Sequence, residues 1–451
     1  MPRVSRRAVV AGAAAAVGCR GVLPSSRPNV LVILVDQLRA TALSAYGETN
    51  IRTPVIDGLL ASGAWFENAT CADPHCTPAR SALMSGLYPS VTSTVTTGLP
   101  LPLAFPAWSD QLARDGYRGG YIGKWHIHGG KGPVPVGPAR RGFDTFWRAF
   151  ETNGHRYTDA WWYEDDDVPR RPTPRDRYEP DFQTDHALEF LDAPGTDAFM
   201  LVVSYGPPHP PAQLTSTIGD WSGWIPDTFM DLVDPAALTL LPDVDRDLEA
   251  AARVFLHGYY AALLSLEGNI QRLLDGLEER GLREDTIVVF TSDHGELAGS
   301  HRFFGKERPF DAAIRVPFGV SWPGRIAPRR LLRPTNGVDL AATLFGLTGV
   351  DPLPDTHGAD LAPLLLGFEE DQAGGAASYV QGRQEEADGM AWEVIRSPEW
   401  LYAITGDARQ ETLHHLVTDP FQQHDLSGDP QHAGILASMR AALDDWRERL
   451  G

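Results

Sequence analysis

Six apolar residues in a row, Val30-Leu31-Val32-Ile33-Leu34-Val35, run without a break into Asp36. A sheet with one wet face alternates apolar and polar residues. An unbroken branched run is instead a strand covered on both faces, as in a parallel sheet with helices above and below. Residues 198–205 and 286–291 repeat the pattern, and each run ends in polar residues with glycine or proline. Helical periodicity is expected between them, over residues 54–62, 181–192, 247–280 and 337–348. Strands alternating with helices predict an α/β domain, a large mostly parallel sheet sandwiched by helices.

The texture changes after Leu366. Residues 369–375 are acidic and glycine-bearing and read as a linker; strand-like pieces follow at 377–382, 390–395 and 400–404, then a helix over 435–449. The expected organisation is an export signal and linker over 1–27, the α/β domain over 28–368, and a C-terminal α+β subdomain over 369–451. That subdomain is a small antiparallel sheet plus one helix. The Pro- and Arg-rich stretch 168–177 reads as a surface loop.

Charge narrows the partners. With 39 Lys+Arg against 59 Asp+Glu, the chain carries a net charge of −20, which argues against a nucleic-acid or anionic-membrane binder. Only three lysines, Lys124, Lys131 and Lys306, stand beside 36 arginines. A chain that uses arginine nearly everywhere keeps lysine where only an ammonium serves. At the amino end, Ser5-Arg6-Arg7 precedes a short alanine-rich apolar run, the layout of an export signal and not of an integral membrane span. The paired arginines fit a twin-arginine signal, so export to the periplasm, cell surface or medium is expected. Cys19 leaves a lipoprotein anchor open.

In open α/β sheets, ligands bind beyond the carboxyl ends of the strands. Two of the apolar runs end in metal-capable pairs, Asp36-Gln37 and Asp293-His294. Three oxygen donors with one imidazole and no thiolate cluster suit a hard divalent cation better than structural zinc.

Cys76-Thr77-Pro78-Ala79-Arg80 resembles the Cys-x-Pro-x-Arg signature of the sulfatase family, formylglycine-dependent members of the alkaline-phosphatase-like superfamily. The resemblance continues in the family's order. Asn29–Gln37 is followed by Gly123-Lys124-Trp125-His126, Pro207-Pro208-His209-Pro210 and Thr291-Ser292-Asp293-His294-Gly295-Glu296. Gly305-Lys306, Ile314-Arg315-Val316-Pro317 and Val338-Asp339-Leu340 complete it, so matches run from about residue 28 to residue 350.

The resemblance implies hydrolysis of sulfate esters, of a sulfated carbohydrate or another small organosulfate. It implies that a formylglycine-generating maturation enzyme oxidises Cys76. Asp36, Gln37, Asp293, His294 and the modified Cys76 would then hold a divalent metal, Ca2+ as first choice with Mn2+ or Mg2+ as alternatives. Arg80 would steady the hydrated aldehyde, and Lys124 and Lys306 would neutralise sulfate oxygens. His209 with Lys306 would serve the departing alcohol oxygen, and His126 would take the proton that expels sulfate. Lys124, His209 and Lys306 are thereby also the substrate-binding residues. A sulfate ester is itself an anion, which explains the concentration of cations. A formylglycine hydrate carries a second hydroxyl, which an ordinary serine lacks.

Two positions depart from the commonest family pattern: Gln37, where aspartate is usual, and His294, where asparagine is usual. Asp-Gln with Asp-His also resembles the choline-sulfatase and phosphonate-monoester-hydrolase branch. A phosphonate monoester or phosphodiester hydrolase is therefore the rival within the fold. A non-catalytic sulfoglycan-binding protein with Cys76 as a thiol is the rival from another class, opposed by the intact motifs. His128 reads as structural, Lys131 as either structural or functional, and the aromatic, acidic stretch 150–165 as a sugar pocket or a packing loop. The export reading predicts that replacing Arg6 and Arg7 together with Lys retains the protein in the cytoplasm; fractionation of the native host checks this, and unchanged secretion opposes it.

Overall fold

The computed structural model describes residues 27–450 apart from 131, 152–156, 158–160, 165–166, 173–176, 194, 196, 212–218, 373–375 and 385–389. The expected export segment with Arg6, Arg7 and Cys19, and also Lys131, His155, Arg156 and part of the 369–375 linker, lie outside the described residues.

The apolar run forms β1 (Asn29–Asp36), buried along its whole length. Ten strands make the main sheet: β1, β2 (Ala64–Phe66), β4 (Arg118–Lys124), β5 (Phe146–Phe150), β6 (Trp161–Glu164), β7 (Asp167–Pro172), β8 (Phe199–Pro208), β9 (Thr286–Ser292), β10 (Phe318–Ser321) and β11 (Arg329–Leu331). Their order is β11-β2-β10-β9-β1-β8-β4-β5-β6-β7, and the five from β9 to β5 run parallel. β3 (Ala69–Thr70) and β12 (Thr335–Asn336) make a separate two-stranded ladder.

The period of two along β1 sorts its side chains onto two faces. Val30, Val32 and Leu34 join the apolar cluster built by Leu83, Trp108, Leu112, Leu344 and Phe345. Leu31, Ile33 and Val35 join the opposite cluster with Ile56, Phe190, Tyr259, Leu266 and Ile270. All four helical stretches form, as Pro54–Ala61, Glu179–Asp192, Glu249–Glu279 and Asp339–Thr348. The result is a large mixed, mostly parallel sheet between helical layers, the alkaline-phosphatase-like arrangement.

Beyond it, β13 (Ser378–Gln384), β14 (Met390–Arg396), β15 (Trp400–Thr405) and β16 (Gln410–His415) form an antiparallel meander, with the helix Ala433–Leu450 against it. β16 escapes the sequence pattern because Leu413 is its single apolar residue. Val380, Trp392, Val394 and Leu401 pack on Leu297, Ala313, Ile314 and Val316, so this sheet shares a core with loops of the main domain.

The surface loop expected over 168–177 is corrected: its described part is mostly β7, the edge strand paired with β6. Prolines are tolerated there because an edge strand leaves one row of backbone groups unpaired. Among the described residues no helix is long and apolar enough to cross a membrane.

One glycine sets how β4 delivers its last residue. Gly123 has φ +107°, and a Cβ there would stand 2.0 Å from the Ser204 carbonyl oxygen of the neighbouring strand. Gly123→Ala must therefore pay both backbone strain and a backbone clash. The expected loss is about 2–4 kcal/mol, read as a lowered denaturation midpoint.

Candidate active site

Neighbouring parallel strands present their carboxyl ends side by side. β1 brings Asp36 and then Gln37, β9 is followed by Asp293 and His294, β4 ends in Lys124 two residues before His126, and β8 runs out at Pro208 next to His209. Cys76 is the first residue of the helix Cys76–Ser85, and Arg80 lies one turn further on. Lys306 comes from the loop after β9. All ten residues singled out from the sequence meet at this one place.

The contacts centre on Cys76. Its Sγ lies 3.2 Å from His294 Nε2 and 3.0 Å from Lys306 Nζ. His126 and His209 also lie beside the thiol, close enough that each influences its ionisation or is influenced by it. Lys306 donates a second bond to Gln37 Oε1 at 2.7 Å, and Lys124 donates to Asp36 Oδ2 at 2.6 Å. Arg80, expected to steady the hydrated aldehyde, bonds the residues at the neighbouring strand ends. Its Nε bonds Asp293 Oδ2 at 2.9 Å, its Nη2 bonds Asp36 Oδ2 at 3.2 Å, and its Nη1 bonds the Lys124 carbonyl and Ser204 Oγ.

Arg80 and Lys124 engage the Oδ2 atoms, while both Oδ1 atoms face the imidazole: His294 Nε2 is 3.9 Å from Asp36 Oδ1 and 3.6 Å from Asp293 Oδ1, which also accepts the Gln37 and His294 backbone amides. One donor atom each of Asp36, Cys76, Asp293 and His294 falls within 4.8 Å of the others, and all four residues are buried. Two carboxylates and an imidazole gathered out of water form a costly arrangement that a hard cation relieves, so the residues present fit a divalent metal. Gln37 borders this cluster with its amide, donating to Glu296 and accepting from Lys306.

With Cys76 as a thiol, the electrostatics are those of an anion site. Burial opposes ionisation of Cys76, yet Lys124, Lys306 and His294 hold its pKa well below the ordinary thiol range. Burial likewise opposes the Asp36 carboxylate, and Lys124, with His209 and Arg80, outweighs it. Burial and Lys124 bring His126 down to about 4, which keeps this imidazole neutral. Burial and Lys306 also lower His209, whereas burial of Lys306 is outweighed by Cys76 and Asp36, which raise it. Gln37 and His126 adopt left-handed backbone, at φ 64° and 61°, a cost that gathers where function demands an orientation.

Several supporting residues carry no sequence signal of their own. Glu296 is fully buried; its Oε1 accepts the Gly305 amide at 2.6 Å and the Ala298 amide at 2.8 Å, and its other oxygen takes Gln37. Glu151 is buried at the end of β5, where its Oε1 accepts the His128 and Gly129 amides and pins the loop carrying His126. Burial pushes its carboxyl up to about 7. Tyr121 donates to the Lys124 carbonyl at 2.6 Å. Only the position of Glu296 inside a recognised motif hints at such a part; the others act through contacts between distant segments. His128 enters this scaffold through its backbone.

Elsewhere, Phe150, Tyr157, Trp162 and Tyr163 are buried and pack inward. Cys71 is a buried free thiol, not a disulfide partner of Cys76.

Comparison with known proteins agrees with the geometry. Residues 28–350 match the Sulfatase family model, and residues 299–449 match the model described as N-sulphoglucosamine sulphohydrolase, C-terminal. The chain is 32% identical to an ulvan-active sulfatase of Formosa agariphila, over 94% of this chain and 82% of the relative. It is 26% identical to a choline-sulfatase of Rhizobium meliloti, over 94% and 86% respectively. The crystal structure assigned as sulfatase yidJ from Bacteroides fragilis superposes with a TM-score of 0.84 at 26% identity, covering 96% of this chain and 98% of that one. The chain belongs to the sulfatase family and is a sulfuric ester hydrolase, with the divalent metal and formylglycine chemistry general to that family.

Proposed function

We propose that this sulfatase removes sulfate from a sulfated carbohydrate outside the cytoplasm, with calcium at the Asp36, Gln37, Asp293 and His294 site and Cys76 converted to formylglycine. The observation that carries the reading is the meeting of Lys124, His126, His209 and Lys306 around Cys76, beside the paired aspartates. Residues 28–368 act as the catalytic domain and 369–451 as a C-terminal subdomain.

When bound, the cation supplies Lewis acidity that makes a formylglycine hydroxyl nucleophilic near neutral pH and offsets the charge of the sulfate. The chain's own residues do the rest. Arg80 fixes both aspartates through their Oδ2 atoms, which leaves Asp36 Oδ1 and Asp293 Oδ1 turned towards His294. Lys124 and Lys306 place ammonium groups where sulfate oxygens gain charge, which is worth more in a buried site than in water. His209 and Lys306 would stabilise the leaving alcohol oxygen as the ester bond breaks. His126, held neutral, accepts the proton of the second hydroxyl as sulfate departs. Oxygen donors with a single imidazole favour calcium, with manganese or magnesium as the alternatives.

The ulvan-active relative supports a carbohydrate sulfate, and the choline-sulfatase relative keeps a small non-sugar organosulfate as the second reading. Matched aryl sulfate and aryl phosphonate esters, run with a panel of sulfated saccharides and choline sulfate, separate the possibilities. The expected result is sulfate preferred over phosphonate and a sulfated saccharide preferred over choline sulfate; a clear phosphonate preference overturns the first choice. Cys76→Ala should lower kcat by about 10^4-fold or more. Activity lost to a chelator should return with Ca2+ better than with Mn2+ or Mg2+, and the opposite order would reassign the metal.

A further inference from the structure

Lys306 sits in a loop whose backbone is costly to hold. Between residues 298 and 307, Ala298, Gly299, His301, Arg302, Gly305 and Glu307 all have positive φ, and four of these are not glycine. Such a loop keeps one shape only where its surroundings over-determine it.

On the amino side of Lys306 the restraint comes from the main domain. Glu296 accepts the Gly305 amide, and the Gly305 carbonyl accepts the Leu297 amide at 2.8 Å. On the carboxyl side it comes from the C-terminal sheet. The indole Nε1 of Trp392, on β14, donates to the Glu307 carbonyl at 3.1 Å, and Glu307 itself stands at φ 71°. The Glu307 carboxylate reaches the other half of the site, with Oε1 3.4 Å from Nε2 of His75, the residue before Cys76. Thr97 Oγ1 lies 2.8 Å from the same His75 nitrogen.

The indole is placed deliberately tightly. Trp392 is buried among Leu297, Val380, Val394 and Leu401, and a Cβ on Gly382 of the paired strand would lie 2.3 Å from its ring. Only glycine at 382 lets the ring lie flat across β13 and aim its N–H at Glu307.

We infer that Trp392 is a positioning residue for the reaction: its indole N–H fixes the strained Lys306-Glu307 turn and so holds the Lys306 ammonium against Cys76 and Gln37. The C-terminal sheet is in this respect part of the active site and not a cover on it. The inference rests on the reading that Lys306 serves the leaving oxygen.

The test exploits that role, because an activated phenol needs little help to leave and an alkyl or sugar alcohol needs much. Trp392→Phe keeps the ring and deletes the N–H. In protein whose Cys76 conversion is verified, W392F should lower kcat on an alkyl or sugar sulfate about tenfold, the scale of one lost hydrogen bond, with KM little changed. On nitrophenyl sulfate the same variant should lose no more than about twofold. Lys306→Met should show the same leaving-group selectivity, and W392F with K306M should be no slower than K306M alone. The thermal midpoint of W392F separates misplacement from unfolding; if W392F does not accumulate, Trp392→Leu, which also lacks a ring N–H, carries the same comparison. Equal loss on both esters, no loss on either, or additive loss with K306M overturns the inference. A wild type inactive on every sulfate defeats the substrate reading alone, and the two leaving groups are then compared as phosphonate esters.

Discussion

One guanidinium holds the site in register. Arg80 extends from the helix that begins at Cys76 and bonds Asp36 at the end of β1, Asp293 after β9, the Lys124 carbonyl at the end of β4 and Ser204 on β8. Four strands and the helix that begins at Cys76 are thus tied through one buried side chain. Removing one partner from such a buried network leaves uncompensated charge and typically costs about 3–5 kcal/mol, so the network is as much a folding constraint as a catalytic one. It also gives the aspartates direction. Each presents Oδ2 to the arginine and turns Oδ1 towards His294, and Asp293 Oδ1 also accepts the Gln37 and His294 backbone amides.

Positive charge is concentrated around Cys76. The chain carries a net charge of −20, yet Arg80, Lys124 and Lys306 converge within reach of Cys76. Two of its three lysines lie there. Lysine's compact ammonium can sit between several acceptors, as Lys306 does between Gln37 Oε1 and Cys76 Sγ, where a planar arginine fork would need more room.

The central strand, the layer order and the ten residues that converge around Cys76 were legible because each leaves a local mark: an unbroken apolar run, a polar pair at its end, a five-residue signature. Other features leave none. β16 has too few apolar residues to show its period, and β7 looks like a loop because its prolines are excused only by an edge position. The partners of Gln37 come from residues more than 250 positions away, so the sequence shows an amide where an aspartate is usual but not that Glu296 and Lys306 hold it. The same applies to Trp392. Its hydrogen bond to Glu307 exists only because a second sheet folds back onto the first.

The account stands on Cys76 being the precursor of the nucleophile. Its most direct test is the mass of the peptide containing Cys76, from active protein purified from the native host. The account predicts formylglycine or its hydrate at that position, in a fraction that tracks sulfate-ester hydrolysis across preparations. Full activity from protein whose Cys76 is wholly an unmodified thiol would contradict it.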